Sequence, residues 1–101
     1  MQFFKPDVPL RIMCHRELTY QQKAFLLWCW IGKTNDERCE LLSRRQNCHL
    51  RGLSINWYIE HLGVGPTEFR KNFRDLKKKG VIKTEREGTR NEVTYVDFSS
   101  I

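Results

Sequence analysis

The sequence predicts a mainly α-helical domain with a small β-hairpin at its C-terminal end. Three observations carry that expectation. Apolar residues recur at helical spacing in three stretches, near 20–31, 55–62 and 69–76. Capping residues precede those stretches and glycines follow them. Residues 81–98 lose the helical period, gain β-branched and aromatic residues, and divide around Gly88-Thr89-Arg90-Asn91.

Length and composition set the frame. The chain has 101 residues, one domain's worth, and is 40% apolar, which supports one packed core rather than disorder. Its longest apolar run, 24–31, is far shorter than the ~20 residues that span a bilayer, so no membrane partner is expected. The start, Met1 to a charged and proline-containing stretch, does not read as a secretory signal. A cytoplasmic, reducing setting with free thiols is therefore expected. Cys14, Cys29, Cys39 and Cys48 are spaced by 15, 10 and 9, without the close ligand pairs of a zinc finger or ribbon. No metal, cofactor or small-molecule ligand is expected.

Residues 1–18 read as an irregular or partly extended arm, because Pro6 and Pro9 interrupt a helix. Phe3, Phe4, Val8, Leu10, Ile12 and Met13 are too apolar for a free tail. They are expected to pack on the domain or on a second subunit. The first helix is expected over 19–32. Thr19 and Gln22 form a capping-box pattern, and Gly32 is a natural stop. Tyr20, Ala24, Leu27, Trp28 and Ile31, widened by Phe25, make its apolar stripe. Trp28 lies in that stripe, which favours core packing over a base-stacking role. Residues 33–53 read as a polar connecting segment. Thr34 and Glu37 suggest a short helix with Cys39, Leu41 and Leu42 on its buried side, and Arg44, Arg45 and Arg51 form a weak basic cluster.

Signals sharpen over 54–79. Ser54 is a good N-cap, and Leu53 with Tyr58 fits a hydrophobic staple. Ile55, Tyr58, Ile59 and Leu62 make a buried stripe that Leu62-Gly63-Val64-Gly65 terminates. Pro66 suits the first position of the next helix, which carries Phe69, Phe73 and Leu76 on one face and ends at Gly80. Two short helices joined by a tight glycine-containing turn form a helix-turn-helix pattern. The hairpin over 81–98 follows.

The net charge of +6 is unevenly spread. Residues 1–65 carry nine basic and six acidic groups, 66–90 carry nine and four, and 91–101 carry two acidic groups alone. The net charges are thus +3, +5 and −2. A basic excess points to a polyanion. Lys77-Lys78-Lys79 suits a helix C-terminus through the dipole. That does not account for Arg70, Lys71, Arg74, Lys83, Arg86 and Arg90.

The segment 54–82 resembles a winged helix-turn-helix DNA-binding domain. Ser54, Leu62-Gly63-Val64, Leu76 and Gly80-Val81-Ile82 match the family pattern one by one. With the hairpin included, the resemblance covers about half of the chain. Gly65-Pro66 departs from it, since the family more often has Ser or Thr capping the recognition helix. The arm and first helix are more faintly similar to N-terminal domains of plasmid and phage replication proteins.

The resemblance implies a recognition helix over 66–79. With Phe69, Phe73 and Leu76 inward, Thr67, Lys71, Arg74 and Lys78 fall roughly opposite. The helix start reaches deepest into the major groove, which makes Thr67, Glu68, Arg70 and Lys71 the base-contact candidates. Glu68 equally suits a first-turn dipole role with no contact to DNA. Ser54, Gly65, Arg74, Lys77 and Lys78 are phosphate-contact candidates, Gly65 through backbone N–H groups. On the wing, Arg86, Thr89 and Arg90 are the candidates. Phe3, Phe4, Leu10 and Ile12, with the first helix, are the candidate dimer surface.

No phosphate loop, nucleophile elbow or His-Glu-x-x-His motif is present, and His15, His49 and His61 lack a visible orienting partner, so no enzyme activity is expected. The expected function is sequence-specific binding of double-stranded DNA as a homodimeric transcriptional regulator. A plasmid or phage replication or partition protein binding DNA repeats is the alternative, and a protein-binding winged helix is a third reading.

Overall fold

The computed structural model describes residues 7–33, 35, 37–42, 53–87 and 91–101. Helix α1 (Asp7–Cys14) occupies much of the stretch expected to be an irregular arm. Pro9 lies in its first turn, where backbone N–H groups have no intrahelical acceptor, so the missing donor is tolerated. Val8 and Ile12, four residues apart, point into the core, and Ile12 is 0% exposed. Ile12 is therefore core rather than dimer surface. Phe3 and Phe4 lie outside the described residues.

Helix α2 (Tyr20–Ile31) begins as the sequence predicts. The Thr19 hydroxyl accepts from Gln22 N at 3.1 Å, and Gln22 Oε1 accepts from Thr19 N at 3.0 Å. Its buried face is only partly the expected one: Phe25 is buried, and Leu27 and Trp28 pack against the core half-buried. Gln22, Phe25, Leu26 and Cys29 are buried, whereas Tyr20 and Ile31 are 89% and 83% exposed and Ala24 is exposed. Residues 24–31 are all apolar, so periodicity alone cannot select a side of this helix.

The connecting segment contains a strand where a short helix was expected. Asn35 Oδ1 accepts from the N–H groups of Glu37 and Arg38, turning the chain into β1 (Arg38–Leu42). Cys39 and Leu41 are buried and alternate with the half-buried Arg38, Glu40 and Leu42, a period of two. Thr34, Arg44, Arg45, Cys48, His49 and Arg51 lie outside the described residues.

A two-residue strand, β2 (Leu53–Ser54), leads into α3 (Ile55–His61) and α4 (Pro66–Lys78). The Ser54 hydroxyl caps α3 by accepting from Trp57 N at 3.3 Å. Leu62 is the C-cap and 50% exposed, so it does not extend the buried stripe. Gly63 turns the chain at φ 65°, and Gly80 ends α4 at φ 77°. Both sit in the left-handed region that glycine reaches without strain. Strands β3 (Ile82–Glu87) and β4 (Asn91–Asp97) form the expected hairpin, and a 3-10 turn (Phe98–Ser100) follows.

The hairpin is part of a larger sheet, ordered β2-β1-β4-β3. Strands β1, β4 and β3 are antiparallel, with Cys39 and Ile82 both opposite Val96, and β2 adds a short parallel pairing. The described residues thus form an α/β domain of four helices and a sheet. Phe25 is central to the core, with its ring 5.1 Å from Tyr58, 5.3 Å from Phe69 and 6.4 Å from Phe73. These edge-on contacts join α2 to α3 and α4.

Candidate nucleic-acid interface

Helix α4 is amphipathic in the expected sense. Phe69 and Leu76 are buried and Phe73 half-buried, while Thr67, Glu68, Arg70, Lys71, Arg74, Lys77 and Lys78 are exposed. The predicted base-contact and phosphate-contact side chains of this helix therefore share one solvent face. Pro66 occupies the first helical position, and Gly65 is the N-cap without a side-chain cap bond. Gly65 has extended backbone and Pro66 has no N–H, so the backbone N–H groups without an intrahelical acceptor at the helix start are those of Thr67 and Glu68.

Two shallow grooves flank the helix. One, of about 480 Å³, is lined by Lys71, Arg74 and Lys78 together with Glu68, Thr19 and Gln22. The other, of about 300 Å³, is lined by Arg70, Arg74 and Lys77 over Ile55, Phe69 and Phe73. Arg74 borders both. Each groove thus has a row of three cations spaced by three and four residues.

Ion pairing separates this helix face from the sheet. Lys83 Nζ is 2.6 Å from Asp97, Arg38 is 3.3 Å from Glu85 and Arg86 is 3.7 Å from Glu92. Arg70, Lys71, Arg74, Lys77 and Lys78 make no ion pair among the described residues. Lys77 Nζ instead lies 5.7 Å from the Phe73 ring centroid. Five cations without an ion pair among the described residues thus stand on one helix, and a row of cations attracts an extended polyanion.

Other expected site residues are placed differently. Ser54 is buried with its hydroxyl used by Trp57 N, which removes it as a side-chain phosphate ligand. Arg86 is exposed but paired with Glu92. Thr89 and Arg90 lie outside the described residues. Leu10 is 61% exposed on α1, opposite Val8 and Ile12, and remains available to a partner.

Sequence reasoning missed the polar wall of the first groove. Asn72 and Asp75 of α4 meet Gln21 and Gln22 of α2 there. Hydrogen bonds from Lys79 and Gln22 hold the Asp75 carboxyl below its usual range. The capping box located Gln22, but a bond between residues 53 positions apart has no local signature. Also unanticipated is a ladder of stacked rings, with Trp57 6.2 Å from Trp28 and 4.3 Å from His61.

Two histidines have backbone partners, and Cys29 is buried. His15 Nδ1 accepts from Glu17 N, and His61 Nδ1 donates to the Trp57 carbonyl. Burial, reinforced by Cys39, pushes the Cys29 thiol well above its ordinary pKa, which disfavours the nucleophilic thiolate. Among the described residues, no cluster of three His, Cys, Asp or Glu side chains is arranged to hold a metal. No helix of the described residues is long and apolar enough to cross a membrane. Comparison with known proteins finds no matching family model, no similar curated sequence and no similar solved structure.

Proposed function

We propose that this chain is a winged helix-turn-helix domain that binds double-stranded DNA sequence-specifically, with α4 as the recognition helix and no catalytic role. The reading rests above all on one observation. Five exposed cations, Arg70, Lys71, Arg74, Lys77 and Lys78, share the outer face of α4 without an ion pair among the described residues. The order of α2, β1, α3, α4 and the β3–β4 hairpin, with β1 paired to β4, is compatible with that fold. Thr67, Glu68, Arg70 and Lys71 lie in the first half of α4 and are assigned to base edges, while Arg74, Lys77 and Lys78 are assigned to phosphates. Transcriptional regulation as a homodimer is the proposed role, with Leu10 and Met13 of α1 as exposed apolar contacts for the second copy.

Selection of bound sites from random duplex DNA, followed by titration of variants, tests the proposal. Lys71→Ala is expected to weaken the selected site by about 1–3 kcal/mol and to relax its sequence preference. Arg74→Ala is expected to weaken all duplexes about equally. Wild-type binding by both folded variants overturns the assignment of α4.

A further inference from the structure

The side of α4 that meets the start of α2 is polar. Asn72, Asp75 and Lys79 recur at spacings of three and four, forming one stripe. Each is tied across the seam. Asn72 Nδ2 donates to Gln21 Oε1 at 2.6 Å, and the Asn72 carbonyl accepts from Gln22 Nε2 at 3.2 Å. Asp75 Oδ2 accepts from Gln22 Nε2 at 2.8 Å and from Lys79 Nζ at 2.6 Å. Lys79 Nζ also donates to the Glu17 carbonyl at 2.7 Å. Gln22 is the centre of the seam. It is 0% exposed, and its remaining oxygen accepts from Thr19 N.

Every residue of that stripe directly follows a cation of the row Lys71, Arg74 and Lys78. One residue is about 100° of helix rotation, so the angle of the seam sets the angle of the cation row. Apolar packing of Phe25 on Phe69 and Phe73 holds α4 against the core but is non-directional. Rolling α4 by about 20° would carry a side chain on its surface about 2 Å sideways. Hydrogen bonds tolerate only a few tenths of an ångström. A fully satisfied buried polar group therefore specifies one roll angle where an apolar contact would accept several.

We propose that Gln22 is a positioning residue that fixes the roll of α4, so that Lys71, Arg74 and Lys78 face outward as a single row. The inference rests on the reading of α4 as the DNA-contacting helix. Non-specific attraction to phosphates survives a small roll, whereas bidentate contacts to base edges do not.

The test compares Gln22→Met, which keeps length and volume but removes the amide, with wild type on a selected duplex and a scrambled one. Binding is measured at a temperature where circular dichroism shows each protein folded. The selected-to-scrambled affinity ratio is expected to fall about tenfold, with scrambled-site affinity nearly unchanged. Ser54→Ala removes the cap of α3 away from the seam and leaves the bonds from Gln22 to α4, so it should lower stability and preserve the ratio. Should Gln22→Met not fold, Asp75→Ala removes the carboxylate that Gln22 Nε2 bonds on α4 and should lower the ratio in the same direction, by less. An unchanged ratio in the folded Gln22→Met protein, or in Asp75→Ala where that variant stands in, or an equal loss in Ser54→Ala, overturns the proposal. If wild type binds no duplex, the DNA reading fails separately. The seam is then judged by backbone amide relaxation, with exchange broadening expected along α4 in Gln22→Met, and an α4 as rigid as wild type's counts against it.

Discussion

Asp97 holds three neighbours with one carboxylate. Its Oδ2 pairs with Lys83 Nζ at 2.6 Å and accepts from Ser100 Oγ, while Oδ1 accepts from Ser99 N and Ser99 Oγ. Partial burial raises its pKa, but the bonds from Lys83, Ser99 and Ser100 outweigh that and hold it at about 2, against 3.8 unperturbed. A folded-state pKa below the unfolded one means stabilisation that is complete above about pH 4 and lost as the pH falls through about 2. After solvent screening it amounts to about 1–2 kcal/mol. Urea unfolding at several pH values between 2 and 6 should show that loss, and Asp97→Ala should lower stability at pH 6 while flattening the dependence below pH 4. A variant as acid-sensitive as wild type would remove Asp97 as the cause. Single residues were legible where their partners are local. Thr19 with Gln22, and Ser54 as a cap, follow from spacing alone. Asp97 with Lys83, and Gln22 with Asp75, depend on chain folding and leave no such trace. Ser54 also shows how a correct structural reading can exclude a functional one, because the hydroxyl that caps α3 is not free for phosphate.

Turns decide how the elements meet, and two of them need glycine. Gly63 and Gly80 have positive φ, and a Cβ at either would meet nothing within 4 Å. Space is therefore not the constraint, and backbone strain is. Gly63→Ala and Gly80→Ala should each destabilise by about 1–2 kcal/mol. Gly65 has φ −65°, so Gly65→Ser should be tolerated and supply the cap bond that α4 lacks. Thermal unfolding of the three variants checks this, and equal losses at all three positions would refute the distinction. The same turn signals made α3, α4 and the hairpin readable in advance. The two misread elements failed for separate physical reasons. Pro9 forbids a helix interior but not a first turn, which hid α1. In β1 the alternation runs for only five residues, and Leu42 beside Leu41 blurs it into a helical pattern. Position 33–53 thus looked like connection when it supplies a strand of the sheet, and the hairpin then gains β1 as a neighbour on β4.

At the scale of the whole molecule, the +6 net charge is less informative than where charge lacks a partner. Lys83 belongs to the basic stretch by sequence, yet Asp97 neutralises it, and Glu92 and Glu85 do the same for Arg86 and Arg38. Asp97 and Glu92 stand on the strand next to their partners' and Glu85 stands two strands from Arg38, so the compensation appears only once the sheet is formed. The five cations of α4 keep the excess that composition suggested. If the three cations assigned to phosphates, Arg74, Lys77 and Lys78, each neutralise one, the logarithm of the DNA association constant should fall against the logarithm of salt concentration with a slope of about −2.7. Removing one contact should flatten the slope by about 0.9. Lys78→Ala is expected to do so, whereas Lys83→Ala should leave it unchanged because its charge is already spent on Asp97. Total charge falls by one in both variants, so the comparison separates position from composition. Equal changes in slope would mean that the duplex senses only the overall field of the protein, and α4 would lose its claim to the interface.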